Sequence, residues 1–336
     1  MALYCGIDLH SNNHVVVVID ENDQRLEERR IGNNVSLTLS LLAPYQDRLV
    51  AIAVESTFNW YWLVDGLQAA GFRVELVNPA GIKQYEGLKY TDDRYDAFWL
   101  AHLMRLGLLK TGYIYPREQR AIRDLLRRRM QLVRTGSRQL ICVQSQIWRS
   151  TGIRLSCNQL KKSDVTLELP DEATQLGVDS HLRVYRTIAQ EIAQLEQKVM
   201  TQIKPKDDYD ILTSMTGVGP MLGTTILLET GDITRFKQVG HYASYCRCVK
   251  SEKTSNGKKK GEGNAKSGNK YLSWAFSEAA HFAVRYEPLA KRFYERKRHR
   301  TNGIVAIRAV AHKLARAAYY MLRDQTRFDA TRLFAS

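Results

Sequence analysis

Four acidic side chains stand at the ends of predicted strands or at the start of a predicted helix. Asp8 closes the apolar run that begins the chain, and Glu55 closes a second apolar run. Asp93 and Asp96 lie three residues apart at a helix start. Acids at neighbouring strand ends face one crevice, and positions i and i+3 share a helix face. The four carboxylates can therefore converge on Mg²⁺ or Mn²⁺, and two such ions about 4 Å apart would assist phosphoryl transfer.

These acids differ in how well a purely structural role would explain them. Asp and Glu usually serve as helix caps or solvated residues. An acid that ends an apolar strand is costly to bury without a cation, so the structural explanation is weak for Asp8 and Glu55. Asp92 competes with Asp93 as the ligand, and we favour Asp92 as the helix cap and Asp93 as the ligand.

A serine in a glycine- and lysine-rich stretch is the second candidate for chemistry. Ser255 lies in the run Thr-Ser-Asn-Gly at 254–257, and a hydroxyl beside cations can attack a phosphate. The lysines that we predict to contact phosphate are Lys258, Lys259, Lys260, Lys266 and Lys270. Spacing alone favours a flexible, solvated loop. A nucleotide-binding phosphate loop is excluded, because Lys260 stands where its first glycine belongs.

A glycine-containing turn is a further candidate for phosphate binding. Residues 212–220 have the apolar spacing and the Gly-Val-Gly turn of a helix-hairpin-helix motif. In such a motif backbone amides hold a phosphate, and here they would be those of Gly217 and Gly219. A plain turn between two helices explains the same pattern equally well.

The charge balance favours a polyanionic partner. The formal net charge is +15 and the sequence pI is near 9.6, and each phosphate that a protein neutralises adds affinity. Residues 117–138 hold eight arginines in a basic amphipathic helical pattern. The arginines that we predict to grip nucleic-acid backbone are Arg127, Arg128, Arg129, Arg134 and Arg138. A solvated basic surface without such a partner is the competing interpretation.

Strand and helix signals place these residues in the chain. Apolar runs separated by turn residues predict a three-stranded meander followed by two buried strands. The predicted strands are 3–9, 15–20, 25–31, 49–55 and 72–78. Helical spacing predicts helices over 60–70 and 92–108. Strands that alternate with helices indicate an α/β domain, which we assign to residues 1–115.

The rest of the chain is predicted to be helical. A basic helix from 117 to about 148 and a second helix over 182–203 indicate a coiled-coil region at 116–205. The polar segment 157–180 between them is predicted to be a loop. Further helical segments predict a mainly α domain over 206–336.

Several classes of protein are excluded by pattern. The longest apolar runs are shorter than the about 20 residues that span a bilayer, so we expect no membrane partner. The start of the chain lacks an export signal, and five cysteines without zinc-ligand spacing fit a reducing compartment. We therefore expect a cytoplasmic protein. Four histidines without metal-ligand spacing are interpreted as surface or capping residues: His10, His14, His241 and His281.

Short motifs occur in a fixed order over nearly the whole chain. They are Gly6-Ile7-Asp8, Val54-Glu55-Ser56, Asp92-Asp93-Arg94-Tyr95-Asp96, Thr216-Gly217-Val218-Gly219-Pro220, Gly231-Asp232, Ser255-Asn256-Gly257 and Gly268-Asn269-Lys270. This ordered set resembles the transposases of the insertion sequence 110 family. Those proteins carry an N-terminal DEDD domain and a C-terminal serine domain.

The resemblance implies a fold, a chemistry and partners. The first domain would be a resolvase-like, RuvC-like domain of ribonuclease-H fold that binds magnesium through the four carboxylates. A serine nucleophile would become covalently linked to DNA. A structured, element-encoded bridge RNA would pair with donor and target DNA in the bacterial nucleoid. A homo-oligomer, dimer or tetramer, is implied because two duplexes must be held at once.

Two positions depart from the family pattern. The family usually has Ser-Gly at the nucleophile, whereas Asn256 follows Ser255 here, so Ser251 stays a second candidate. The family commonly has Lys-Thr-Asp before the second aspartate pair. Here residues 89–93 read Lys-Tyr-Thr-Asp-Asp, which keeps the choice between the two aspartates partly open.

Taken together, the sequence predicts a recombinase that cuts and rejoins DNA through a covalent phosphoserine intermediate. The carboxylates and their metal would polarise the scissile phosphate, and the lysines would offset its developing charge. One rival is a metal-dependent junction endonuclease that uses water and leaves Ser255 idle. A rival from another class is a non-catalytic RNA-binding protein.

Overall fold

The chain folds into two units. The computed structural model describes residues 1–78, 92–162, 169–203, 207–250, 253–261 and 267–334. Chain contacts separate Met1–Arg117 from Glu118–Ser336. The further division that we predict at residue 205 stays a prediction. No helix in the described ranges is long and apolar enough to cross a membrane.

The first unit is built on a five-stranded mixed sheet. Its strands are β1 (Leu3–Leu9), β2 (Asn13–Ile19), β3 (Arg25–Gly32), β4 (Leu49–Glu55) and β5 (Val74–Val77), in the order β3-β2-β1-β4-β5. Its helices are α1 (Val35–Leu42), a 3₁₀ helix (Ala43–Arg48), α2 (Tyr61–Ala69) and α3 (Asp93–Arg105). The strands β1, β2 and β3 pair antiparallel, whereas β1, β4 and β5 pair parallel. The predicted meander and α/β character are confirmed.

Helices cover both faces of this sheet. On one face, alternate β1 residues from Leu3 to Leu9 pack with Leu42 of α1 and Leu63 of α2. On the other face, Val15 of β2 packs with α3. Because both faces are covered, the sequences of β1, β2 and β4 are nearly continuous apolar runs. The edge strand β3 is largely charged.

Gly6 sets the distance between β1 and α3. A Cβ atom at this position would lie 1.9 Å from the carbonyl oxygen of Ala97 and 2.8 Å from the amide nitrogen of Ala101. Only glycine permits this approach of helix backbone to strand backbone. The first turn of α3 consequently lies beside the end of β1.

The second unit begins with two long helices. They are α4 (Arg117–Thr151) and α6 (Glu172–Gln202), with the short α5 (Cys157–Leu160) between them. Val143 of α4 and Val178 of α6 share one apolar cluster. The predicted loop over 157–180 is wrong at α5 and again from Glu172 onward. Asp171 caps α6, whose first turns are polar and lack the apolar spacing that marks the later ones.

The remaining helices enclose one core. They are α7 (Asp207–Thr213), α8 (Pro220–Thr230), a 3₁₀ helix (Ile233–Arg235), α9 (Val239–Tyr245), α10 (Lys270–Tyr286), α11 (Pro288–Arg300), α12 (Gly303–Asp324) and α13 (Ala330–Phe334). Tyr242 of α9 and Phe276 of α10 are the largest fully buried side chains in it. The mainly helical C-terminal region is as predicted.

A small hairpin interrupts this helical region. The strands β6 (Lys253–Ser255) and β7 (Lys258–Gly261) pair antiparallel around Asn256 and Gly257. Both turn residues have positive φ, 51° and 70°, as a two-residue Asn-Gly turn requires. The structure has a solvent-exposed hairpin where spacing alone favours a flexible, solvated loop, and the Asn-Gly pair is the signal for the hairpin in the sequence.

Candidate functional site

Asp8 and His10 lie at the end of β1. Residues two apart in an extended chain face the same side, and the Asp8 side chain is almost fully buried. Nε2 of His10 lies 3.2 Å from Oδ2 of Asp8 and 3.3 Å from Oδ2 of Asp93. The imidazole thus stands between two carboxylates that come from different elements.

Asp93 and Asp96 enter the site from the first turn of α3. Nη2 of Arg30 donates to Oδ2 of Asp93 at 2.5 Å, and this guanidinium holds the pKa of Asp93 below its usual range. The pKa of Asp96 is raised, first by burial and then by the negative charges of Asp8 and Asp93. The two aspartates of one helix turn therefore differ in electrostatic environment.

Glu55 completes the set from the neighbouring strand. β4 runs parallel to β1, with Val54 opposite Ile7, so the two strand ends lie side by side. Burial, a hydrogen bond with Asp8 and the charges of Asp8 and Asp96 raise the pKa of Glu55 to about 8. The structure thus brings the four carboxylates predicted from sequence to one edge of the sheet.

The donor atoms fit a divalent cation. Asp8, His10 and Asp93 each offer a ligand atom, and these atoms lie within 4.8 Å of one another. Oδ1 of Asp96 is buried and has no hydrogen-bond partner among the described residues. Carboxylate oxygens are the usual ligands of Mg²⁺ and Mn²⁺, and imidazole nitrogen is one that transition metals accept. A cation would relieve the repulsion among these acids.

Asp92 lies next to this set and has a different role. Its Oδ1 accepts the backbone N–H of Tyr95 at 2.7 Å and caps α3. This is the role that we favoured for it from sequence. Asp93, one residue later, faces Arg30 and His10.

The sequence predicts surface or capping roles for His10 and His14, and the structure adds to the first and differs for the second. His10 is partly exposed but lies against Asp8 and Asp93, and its two-residue distance from Asp8 on a strand is the signal for this in the sequence. His14 is fully buried. Its ring nitrogens lie 3.0 Å from Oδ1 of Asn33 and 2.9 Å from Oγ1 of Thr38, so it has a structural role.

The Gly-Val-Gly turn joins α7 to α8 as a helix-hairpin-helix motif would. Gly217 has a φ of +96°, and a Cβ there would lie 2.4 Å from the carbonyl oxygen of Ala279 in α10. Gly219 is the N-cap of α8 and has open space around its Cα. Gly217 therefore serves close packing, and Gly219 is the more accessible of the two candidate phosphate contacts.

Ser255 stands at the tip of the β6–β7 hairpin. It pairs with Lys258, and both side chains are exposed, as is that of Lys260. Lys270 is exposed at the start of α10. Three predicted features lie outside the described residues: Ser251, Lys266 and the side chain of Lys259.

Comparison with known families covers both units. A transposase family model with the DEDD signature of insertion sequence IS110 matches residues 5–147, and the transposase model of the IS116/IS110/IS902 family matches residues 209–295. The two models together match more than half of the chain. The chain belongs to the IS110 family of transposases, enzymes of DNA transposition.

Individual relatives agree with this assignment. The mini-circle protein assigned to IS117 as its transposase, from Streptomyces coelicolor, is 24% identical over 100% of this chain and 97% of its own length. A Pseudomonas aeruginosa protein assigned as a family 20 transposase is 22% identical over 82% of this chain and 84% of its own length. The 43.6 kDa protein of insertion element IS110 from Streptomyces coelicolor is 28% identical, but the match spans only 34% of its length and 40% of this chain.

The predicted arginines of this IS110-family transposase fall into two groups. Nε and Nη2 of Arg127 donate to the two carboxylate oxygens of Glu229 at 2.6 and 2.8 Å. Nε of Arg129 donates to Glu196 at 2.8 Å. The other three arginines predicted to grip nucleic acid are exposed: Arg128, Arg134 and Arg138. Of the five arginines, those of the second group are exposed and those of the first are partly buried in ion pairs.

Proposed function

We propose that this IS110-family transposase cuts and rejoins DNA strands with a metal-dependent carboxylate site and a nucleophilic serine. The observation that carries the proposal is the crowding of acids around the buried Asp8 at one sheet edge, where the half-buried Glu55 has a pKa of about 8 and that of Asp96 is also raised. Buried acids in structural roles are paired with cationic groups. The five-stranded mixed sheet beneath them supports a ribonuclease-H-like, RuvC-like fold.

The carboxylates would hold the metal. The ligand set for Mg²⁺ or Mn²⁺ would be Asp8, Glu55, Asp93 and Asp96. When bound, such an ion supplies Lewis-acid polarisation of the phosphoryl oxygen. Glu55 must lose its proton to become a ligand, and Asp93 must share its carboxylate with Arg30 and His10.

Ser255 would carry the covalent step. Its Oγ loses a proton and forms a bond to the scissile phosphorus, while the bond from phosphorus to one bridging oxygen breaks and that oxygen gains a proton. Attack by a free DNA hydroxyl on the serine–phosphate bond then releases the enzyme and rejoins a strand. Since the phosphodiester energy is retained, no nucleotide is needed. The exposed Lys258 and Lys260 would offset the developing charge.

Nucleic-acid partners follow from the exposed cations. The sites that we propose for phosphate contact on α4 are Arg128, Arg134 and Arg138, with Gly219 and Lys270 elsewhere in the second unit. The partners would be donor and target DNA together with a structured guide RNA, and the protein would act at the bacterial nucleoid. Two duplexes must be held for strand exchange, which favours a homo-oligomer.

The proposal is tested by trapping the serine adduct. The wild-type protein, with Mg²⁺, its RNA and a nicked DNA substrate, should give a DNA-linked band that survives denaturation. Ser255→Ala should lose this band, and Ser137→Ala, which changes an exposed serine of α4, should keep it. Peptide mass spectrometry would locate the phosphoester.

Two other results would redirect the proposal. An adduct that survives Ser255→Ala but not Ser251→Ala would move the nucleophile by four residues. Cleavage without any adduct, unchanged in both variants, would instead identify a water-using junction endonuclease and remove the serine from the mechanism.

A further inference from the structure

The two ends of the segment that carries the Ser255 hairpin are tied together. The backbone N–H of Asn269 donates to the carbonyl oxygen of Tyr245 at 2.6 Å. Nε of Arg247 donates to the carbonyl oxygen of Ser267 at 2.9 Å. Gly268 has a φ of +86°, and a Cβ there would lie 2.7 Å from the Tyr245 carbonyl oxygen. The chain therefore leaves α9 and enters α10 at one closely packed base.

A buried carboxylate lies under this base. Glu229, near the end of α8, is 1% exposed. Its two carboxylate oxygens accept hydrogen bonds from Nε and Nη2 of Arg127 in α4. Its Oε2 also accepts Nδ2 of Asn269 at 2.7 Å. Three helices of the second unit are thus joined through one carboxylate, and neither Arg127 nor Glu229 belongs to the proposed chemistry.

Glu229 fixes the orientation of the Asn269 amide. A carboxylate accepts only, so it must face the Nδ2 end of the amide. Oδ1 of Asn269 then points to the start of α10, where it accepts the N–H groups of Tyr271 and Leu272 at 2.8 and 3.1 Å. An aspartate or serine at this position would cap the helix but could not donate to Glu229 in the same way.

Stability alone does not account for a fully buried charge here. Apolar residues of similar volume often replace a buried ion pair at no cost, whereas directional polar contacts select one arrangement of the parts that they join. The arrangement selected by this network is that of Tyr245 and Asn269, which flank the segment that carries the hairpin. The charge is therefore best explained by the geometry that it imposes.

We infer that Arg127, Glu229 and Asn269 are positioning residues for the Ser255 hairpin. This inference rests on the proposed serine chemistry. The network holds the base of the hairpin in the orientation from which Ser255 reaches phosphate. Arg127 thereby acts inside the protein, in contrast to its exposed neighbour Arg128.

The decisive variant is Asn269→Asp. Aspartate caps α10 as well as asparagine does, but it places a second carboxylate against Glu229. Because small misplacement of a reacting group costs about a hundredfold in rate, adduct formation should slow by about that factor, with DNA affinity unchanged. The matched control is Asn302→Asp, since Asn302 caps α12 by accepting the N–H of Val305 and the charge change is the same. That variant should form adduct at the wild-type rate.

Exchanging the two partners tests the contact directly. In the double variant Glu229→Gln with Asn269→Asp, the amide and the carboxylate trade places, so one hydrogen bond and the single negative charge are restored. The double variant should recover at least about tenfold of the rate lost in Asn269→Asp. The inference would be overturned if the double variant were slower in adduct formation than Asn269→Asp, or if Asn269→Asp formed adduct at the wild-type rate. It would also be overturned if the adduct rates of Asn269→Asp, Asn302→Asp and the double variant simply followed their unfolding temperatures, because the network would then only stabilise the fold.

Hydrogen exchange separates this inference from the serine mechanism. Amides of residues 253–261 should exchange faster in Asn269→Asp than in the wild type and Asn302→Asp proteins, and more slowly in the double variant than in Asn269→Asp. This readout needs no catalysis. If the wild-type protein forms no adduct, the proposed serine chemistry fails while the exchange result still decides the network, and unchanged exchange in Asn269→Asp would refute it.

Discussion

Asp8 and Glu229 are both almost fully buried acids, 3% and 1% exposed, in opposite electrostatic surroundings. Asp8 stands among the carboxylates of Glu55 and Asp96, with one imidazole nearby. Glu229 faces a guanidinium fork and an amide donor. A buried acid that its own chain neutralises supports structure, whereas acids that crowd one another call for a cation from outside. This difference supports the proposed metal site at Asp8 and the inferred positioning role of Glu229.

The largest effect should come from removing a carboxylate of the crowded site. Asp8→Asn keeps the side-chain volume but takes away a metal ligand, so DNA cleavage should fall by about a thousandfold or more, while folding and DNA binding persist. Cleavage assays in Mg²⁺ and Mn²⁺ would measure this. Near-normal cleavage in the variant would remove Asp8 from the mechanism.

Removing the charge of Glu229 should instead lower stability. Glu229→Gln leaves Arg127 without its carboxylate, and we expect a loss of about 2 kcal/mol in the free energy of unfolding. This value is below the usual range for a broken buried pair, because part of the Arg127 side chain remains in water. Urea unfolding followed by circular dichroism would measure it. A stability equal to that of wild type would contradict the assigned pairing.

In metal-free protein, Glu55→Gln should raise the free energy of unfolding, whereas Glu229→Gln lowers it. The pKa of Glu55 is raised from 4.5 to about 8, so the folded state binds more protons than the unfolded state in this range. The contribution of Glu55 to the free energy of unfolding therefore falls as pH rises from 4.5 to 8. Glu55→Gln lacks this loss and should be more stable by about 1 kcal/mol at pH 8, after allowance for solvent screening.

Thermal unfolding in chelator at pH 5 and pH 8 would measure the Glu55 effect. The advantage of the Gln variant should be present at pH 8 and nearly absent at pH 5. Added Mg²⁺ should stabilise the wild-type protein more than the variant, since the variant has lost a ligand. A variant less stable than wild type at pH 8 would show that Glu55 is not crowded.

The smallest effect concerns the two groups of arginines. Replacing the exposed Arg128, Arg134 and Arg138 with Gln should lower the salt dependence of nucleic-acid binding by about one unit of slope per lost phosphate contact. Arg129→Gln, which breaks a pair with Glu196, should leave the slope unchanged. Binding isotherms at several salt concentrations would measure both. Equal salt-dependence slopes for the two variants would contradict the assignment of the exposed arginines of α4 to nucleic-acid binding and of Arg129 to an internal ion pair.

Periodicity predicted most of the first unit, because its inner strands are covered on both faces and α2 and α3 follow the apolar spacing. It failed where a helix cap or a turn, and not apolar spacing, determines the local structure. The first turns of α6 begin at the cap Asp171, and the β6–β7 hairpin depends on the Asn256-Gly257 turn. Both features are decided over three or four residues, a length at which hydrophobic periodicity carries little signal.

The sequence by itself determined which acids end apolar strands, and from this the convergence of Asp8, Glu55, Asp93 and Asp96 could be predicted. Only the tertiary structure decided that His10 stands between Asp8 and Asp93, and that Arg127 turns inward to Glu229 while Arg128 stays exposed. Strand ends gather residues by topology, which follows from chain order. The partner of a long side chain depends on contacts between residues about a hundred positions apart, and no local pattern encodes them.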